Sequence, residues 1–218
     1  MTSAYAWNLC AAPDSLDDDP QSRVARSLRA SESQRANSDD QALVARIRAG
    51  DATAFEVVVH RYYADLCGYV ASFIHRDDAA EELVQDLLFR VWTLGARWNV
   101  QSGIATYLYG AARHAAIRYA GRERRGAQWV AAGEASDVHG HPPVAPDASV
   151  TNSALNHAIA HAILSLPPRS REAFILTRRV GMTYADAAHV MGVSVKTVET
   201  QVRLALQTLR AKLAPWKL

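Results

Sequence analysis

The chain has 218 residues, 49% of them hydrophobic, with a formal net charge of +2 and two cysteines. That length holds one large domain or two small ones, and Cys10 and Cys67 form neither a CxxC nor a metal-ligand spacing, which points to a reducing compartment. No apolar run is long enough to span a bilayer, and no basic leader precedes an apolar core at the N-terminus, so a cytoplasmic protein without membrane insertion is expected.

Residues 1–38 mix Ala, Ser, Asp, Gln and Arg with few large apolar side chains, and are expected to be a disordered N-terminal extension. Asp39 or Asp40 caps a first helix that runs through Arg48, and Gly50 ends it. Asp51 caps a long second helix, on which Phe55, Val58, Val59, Tyr62, Tyr63, Leu66, Tyr69, Val70, Phe73 and Ile74 recur in steps of three and four. A turn at His75–Asp78 supplies the next cap, and a third helix is predicted from about Ala79 to Leu94. A loop over Gly95–Gly103 leads to a fourth helix, from about Ile104 to Arg124. Residues 39–125 therefore read as one helical domain.

Residues 126–152 are rich in Gly, Ala, Pro, Asp and His and read as a flexible linker. A second helical domain is predicted over 153–218, with helices at Ser153–Ser165, Pro168–Val180, Tyr184–Met191 and Val195–Leu213. The fold class is all-α: two small helical domains joined by a flexible linker.

Charge is polarised along the chain. The first forty residues lean acidic and the last fifty lean basic, through Arg169, Arg171, Arg178, Arg179, Lys196, Arg203, Arg210, Lys212 and Lys217, which suggests a local polyanion partner. The strongest motif lies in that basic part. Ala188, Gly192 and Val198 have the helix-turn-helix spacing: a small residue where two helices cross, Gly at a left-handed turn, and an apolar residue facing back. Ser194 is placed to cap the second helix, and Lys196, Thr197, Glu199, Thr200, Gln201 and Arg203 are left outward to meet base edges and phosphates. An ordinary helical hairpin ending on Gly192 is the bland alternative.

Two features of the first domain call for more than packing. Asp78, Glu82 and Asp86 lie four apart on one face of the third helix, which on its own is also what a solvated face near a helix N-terminus looks like. Arg113, His114, Arg118, Arg122, Arg124 and Arg125 make the fourth helix basic, with Trp98, Tyr107, Tyr109 and Tyr119 nearby. Basic residues interleaved with aromatics suit melted nucleic acid, where bases stack and phosphates pair; core aromatics beside a solvated basic helix end are the other reading.

With these segments in view, the chain resembles a bacterial RNA polymerase sigma factor of the sigma-70 family, of the short extracytoplasmic-function (ECF) type. Ala80–Asp86 followed by Phe89-Arg90-Val91-Trp92 resembles that family's segment for binding core polymerase, and Ala105–Arg113 its helix for melting and reading the −10 element. Leu166–Phe174 resembles the opening of the −35-reading domain, and Val193–Glu199 its recognition helix. Two departures stand out: His114 replaces the family's usual Asn, and the loop Asn99–Gly103 lacks the basic residue often found there.

The resemblance implies a dissociable specificity subunit rather than an enzyme, with promoter DNA and core RNA polymerase as partners, an anti-sigma factor as a further one, and no cofactor or metal. It implies that Glu82, Gln85, Asp86 and Arg90 dock on the polymerase, with Leu83, Leu87 and Phe89 packing there. Contacts to the −10 element would come from Trp98, Asn99, Tyr107, Arg113, His114, Ile117, Arg118 and Arg122, and to the −35 element from Arg171, Ser194, Lys196, Thr197, Glu199, Thr200, Gln201 and Arg203. The competing reading is a regulator with a LuxR-like output domain, whose recognition helix Lys196–Thr200 also resembles; it has no need of the acidic third helix. An enzyme finds little support, since His157 and His161 have a metal-compatible spacing without the Glu that a zinc hydrolase helix needs.

Overall fold

A computed structural model of the chain describes residues 39–100, 102–131 and 150–214. The expected N-terminal extension, Gln101 and residues 132–149 of the expected linker lie outside them.

Helix α1 covers residues 39–48 and buries Ile47. Gly50, at φ 86°, reverses the chain, and Asp51 then caps α2 (Ala52–Ile74) by accepting the Thr53 and Ala54 amides at 3.0 and 3.2 Å. The Arg46 guanidinium bonded to Asp51, followed by the Ala54 amide, holds that carboxyl below the ordinary aspartate range. Ala54, Val58, Leu66, Tyr69 and Val70 form the buried stripe of α2. His75 ends the helix in a left-handed conformation at φ 55°, its amide donating to the Ala71 carbonyl.

Helix α3 spans Asp77–Leu94, two residues earlier than the turn at His75–Asp78 suggested. Arg76 precedes it without a side-chain cap, so Asp77 and Asp78 lie inside the first turn, where the helix dipole favours carboxylates, and Arg76 closes on Asp78 at 2.6 Å. A 3-10 turn at Gly95–Arg97 leads through the loop into α4 (Ile104–Ala131). That helix runs past Arg124 because a lone Gly126 does not stop a segment of Ala127, Gln128 and Ala131 with no proline nearby.

Beyond it, α5 covers Val150–Leu164 and α6 covers Pro168–Phe174, with Pro168 at the first helical position where its missing N–H costs nothing. Residues 126–131 and 150–152 are thus helical, and the predicted linker is too long at both ends. The expected single helix Pro168–Val180 is also interrupted: Ile175–Arg179 forms a wider π turn, with the Val180 amide reaching the Ile175 carbonyl. Thr177 offers a local cause, since its hydroxyl bonds back to the Ala173 carbonyl at 2.7 Å and competes for that acceptor. Helices α7 (Tyr184–Met191) and α8 (Val195–Leu213) begin and end where the sequence predicted.

The architecture is all-α, built as two helical halves. In the first, α2 packs on α3 and α4; in the second, α8 packs on α5, α6 and α7. Helix α4 also packs on α7. One contiguous cluster of buried apolar residues consequently passes through both halves, from Ile47, Leu66 and Tyr109 to Leu176, Met182, Met191 and Val202. A smaller cluster of Ile159, Ala162, Leu166, Phe174, Ala205, Leu209 and Leu213 seats α5 on α8. Among the described residues no helix is long and apolar enough to cross a membrane.

Candidate nucleic-acid interface

The helix-turn-helix is built by local chemistry. Thr183 caps α7, accepting the Asp186 amide at 3.1 Å while its hydroxyl donates to the Asp186 carboxylate. Gly192 sits at φ 66°, ψ 39°, the left-handed region that a Cβ disfavours, and its amide reaches back to the Ala188 and His189 carbonyls. Ser194 caps α8 by accepting the Thr197 amide at 3.2 Å, and the two hydroxyls lie 2.8 Å apart. Val198 and Val202 point inward, leaving Lys196, Glu199 and Arg203 exposed on one side with Val195.

Not every residue expected on this surface is free. Ser194 and Thr197 are committed to the cap, and the Thr200 hydroxyl donates to the Lys196 carbonyl. Gln201 accepts from the Ser170 hydroxyl at 2.7 Å, which ties α8 to α6. Arg171 is a correction. It is 7% exposed and donates to the Ser72 carbonyl of α2 at 3.3 Å, so it faces the first half of the molecule and not solvent. Burial lowers its pKa from the ordinary arginine value.

On α4, the stripe Ile104, Leu108, Ala112 and Ala116 is buried. His114, Ile117, Arg118 and Arg122 stand exposed, giving the basic face with an apolar element that stacked bases and phosphates require. Arg113 lies on a third side, half-buried, its Nε donating to Glu172 at 2.7 Å. Tyr107 is half-buried and Asn99 exposed. Trp98 is a second correction: it is 1% exposed, packed edge-on against Tyr107 with ring centroids 5.9 Å apart, and its indole N–H has no protein acceptor. A ring so enclosed is the floor of the loop rather than a platform for a base. Tyr109 is equally buried, so two of the aromatics follow the core reading.

Two side chains from outside the loop hold it. Asp40, 8% exposed, accepts the Ile104 amide at 2.9 Å, satisfying a free N–H at the start of α4. Arg48 donates to the Ala96 carbonyl at 3.0 Å. Neither contact has a local signature, because Asp40 and Ile104 lie 64 residues apart.

The acidic side of α3 is open. Glu82, Gln85, Asp86, Phe89 and Arg90 are all exposed, Phe89 to 70%. Gln85 donates to the Tyr63 hydroxyl, Leu83 is half-buried, and Trp92, 37% exposed, stacks obliquely on Phe55. Leu87, expected to pack on a partner, is 8% exposed and belongs to the core. Cys67 is half-buried, and burial raises its thiol pKa.

The chain matches the family model for Sigma-70 region 2 over residues 58–126 and that for Sigma-70, region 4 over residues 156–209, together more than half its length. The ECF RNA polymerase sigma-E factor of Haemophilus influenzae is 27% identical over 182 residues, covering 81% of this chain and 96% of that protein. The RNA polymerase sigma-H factor of Pseudomonas aeruginosa is 26% identical, covering 81% and 94%. Two solved structures share the fold. CnrH in complex with the cytosolic domain of CnrY superposes with a TM-score of 0.56 at 22% identity, covering 81% of this chain and 97% of that one. The sigma factor RpoE in complex with the anti-sigma factor NepR from Bartonella quintana gives 0.57 at 24%, covering 73% and 96%. With regions 2 and 4 matched in order, the chain belongs to the sigma-70 family of RNA polymerase sigma factors, in its ECF type.

Proposed function

We infer that the chain binds core RNA polymerase and directs promoter-specific initiation of transcription, with region 2 serving the −10 element and region 4 the −35 element. The observation that carries this reading is the occurrence, in one chain and in order, of an acidic α3 with an exposed Phe89, a basic α4 and a capped helix-turn-helix. A LuxR-like regulator accounts for the last feature alone.

Within this reading, residues 39–131 form the polymerase-docking and −10 domain and the chain from residue 150 onward the −35 domain, with a shorter linker between them. Glu82, Gln85, Asp86, Phe89 and Arg90 meet the polymerase, helped by Leu83. His114, Ile117, Arg118 and Arg122 lie along the melted strand, and Asn99, Tyr107 and Arg113 border it. Capture of a flipped base would offset the few kcal/mol of lost stacking. Lys196, Glu199, Thr200 and Arg203 enter the major groove. Polymerase joins the two DNA contacts, so that each raises the effective concentration of the other. The protein acts in the cytoplasm, carries out no catalysis of its own, and is held by an anti-sigma partner, as the sigma factor RpoE of Bartonella quintana is in its solved complex.

The test is run-off transcription with purified core polymerase. Promoter-dependent transcripts that need this chain support the reading. Their absence, with core polymerase that responds to another sigma factor, overturns it.

A further inference from the structure

The outward side of α8 carries two residues that neither packing nor helix formation explains. Val198 and Val202 are 0% and 2% exposed, as the apolar stripe of a packed helix requires, but Val195, at the first helical position, is 42% exposed. Its β-branch lowers helix propensity, and its isopropyl group gains little burial. The first turn also holds Lys196 and no acidic residue, against the preference of the helix dipole for carboxylates near the N-terminus. The single carboxylate of α8, Glu199, comes a turn later, exposed, and among the described residues it takes part in no ion pair. The hydroxyls nearby are used within the helix: Ser194 and Thr197 lie 2.8 Å apart, and Thr200 donates to the Lys196 carbonyl.

Each of the two has one matching feature on duplex DNA. Phosphates repel a carboxylate, so Glu199 is suited to a base edge, where the amino groups of cytosine and adenine are the donors in the major groove. Adenine sets its N7 acceptor beside that amino group, which opposes a carboxylate, whereas cytosine sets a C5–H there. An apolar isopropyl group finds one partner in the major groove, the C5 methyl of thymine. Val195 and Glu199 are four residues apart and share a side of the helix. Between them the helix advances about 6 Å, at about 1.5 Å per residue, and base pairs stack at about 3.4 Å, so they reach bases one or two pairs apart.

We propose that Val195 and Glu199 read a pair of pyrimidines in the upstream promoter element: Glu199 accepts from the N4 amino group of a cytosine, and Val195 covers the C5 methyl of a thymine one or two base pairs away. Lys196 and Arg203 hold the phosphates beside these bases. The proposal rests on the placement of α8 in the major groove of the −35 element made above. It narrows that placement to a chemical requirement on the DNA, and it adds Val195 to the residues that decide which promoters are used.

Holoenzyme formed from the full-length chain and core polymerase tests this on a pool of duplex promoters randomised over the −35 element. Among the sequences that wild type retains, a cytosine and a thymine should recur at fixed positions one or two pairs apart. Glu199→Ala should lose a cytosine preference of about tenfold or more and keep the thymine. Val195→Ala should lose the thymine preference and keep the cytosine. Both side chains are exposed, so neither substitution disturbs the core. Changing the selected thymine to uracil removes the C5 methyl alone. It should weaken wild-type binding about fourfold, the worth of one buried methyl, and leave Val195→Ala indifferent. Equal wild-type binding to the thymine and uracil sites overturns the proposal, as does a cytosine preference that survives Glu199→Ala, or a retained set without this pair. If wild type still selects an upstream element in any of these cases, only the base assignment has failed. If it selects none, while the same core polymerase with another sigma factor does, the −35 placement of α8 has failed with it.

Discussion

Replacing Gly192 by Ala isolates the backbone cost of the helix-turn-helix turn. A Cβ at this position meets nothing within 4 Å, so no clash contributes, and the whole penalty is that of a side chain at φ 66°. That strain is about 1–2 kcal/mol. Alanine also narrows the unfolded ensemble, which returns about 0.4–1 kcal/mol. The net loss is then about 1 kcal/mol, which lowers the melting temperature by about 2–4 °C for a chain of this size. Gly121 supplies the internal control. It too has open space around its Cβ, but lies within α4 without a positive φ, so Gly121→Ala should stabilise by up to about 1 kcal/mol. Urea denaturation followed by circular dichroism measures both. The same chemical change should therefore act with opposite signs at two glycines. A loss at Gly192 beyond about 3 kcal/mol, or a gain there, would refute the argument, since either requires a turn other than the left-handed one.

Other expectations concern single contacts. Asp40→Ala should destabilise by about 2 kcal/mol through the freed Ile104 amide, with Asp40→Asn recovering part of it; equal melting curves for all three proteins would remove Asp40 from its role at the loop. Phe89→Ala should leave folding stability within about 0.5 kcal/mol of wild type, because the ring is 70% exposed, yet weaken binding to core polymerase by about 2 kcal/mol, read by calorimetry. Asp86→Arg should abolish co-purification with core polymerase while the far-ultraviolet spectrum is unchanged. Lys196→Ala and Arg203→Ala should each weaken upstream promoter protection, and each should lower the salt dependence of binding by about one phosphate contact. The Asp51 carboxyl has a lowered folded pKa, so its contribution is complete above the unfolded aspartate value of about 4 and is lost as pH falls through the lower folded value; Asp51→Asn should therefore give a shallower acid limb in thermal melts.

What was legible in the sequence was what local chemistry decides. Gly192, Ser194 and the apolar spacing of Ala188 and Val198 act within one turn of one another, and α7 and α8 fell on their predicted ends. The exposed face of α3 was equally plain, apart from Leu87, because its charges and Phe89 recur at helical spacing. The failures at the candidate site are long-range. Arg171 reads as a basic residue in a basic domain until its partner is known to be a carbonyl 99 residues away. Trp98 beside Tyr107 has the composition of a stacking platform, and only the packing around the loop encloses it. Glu172 attracted no attention in a family-like segment, since nothing within several residues of it signals Tyr69 or Arg113.

The π turn at Ile175–Arg179 sets a constraint on how this segment tolerates insertions and deletions. A turn closed one residue wider than an α-helical turn shifts everything after it by about 100° around the axis and 1.5 Å along it. Deleting one residue there would restore regular winding, carry Arg179 round from Asp65, and misplace Met182, whose amide now reaches the Leu176 carbonyl. Substitutions that keep residue size could spread through this stretch, but its length is fixed to the single residue.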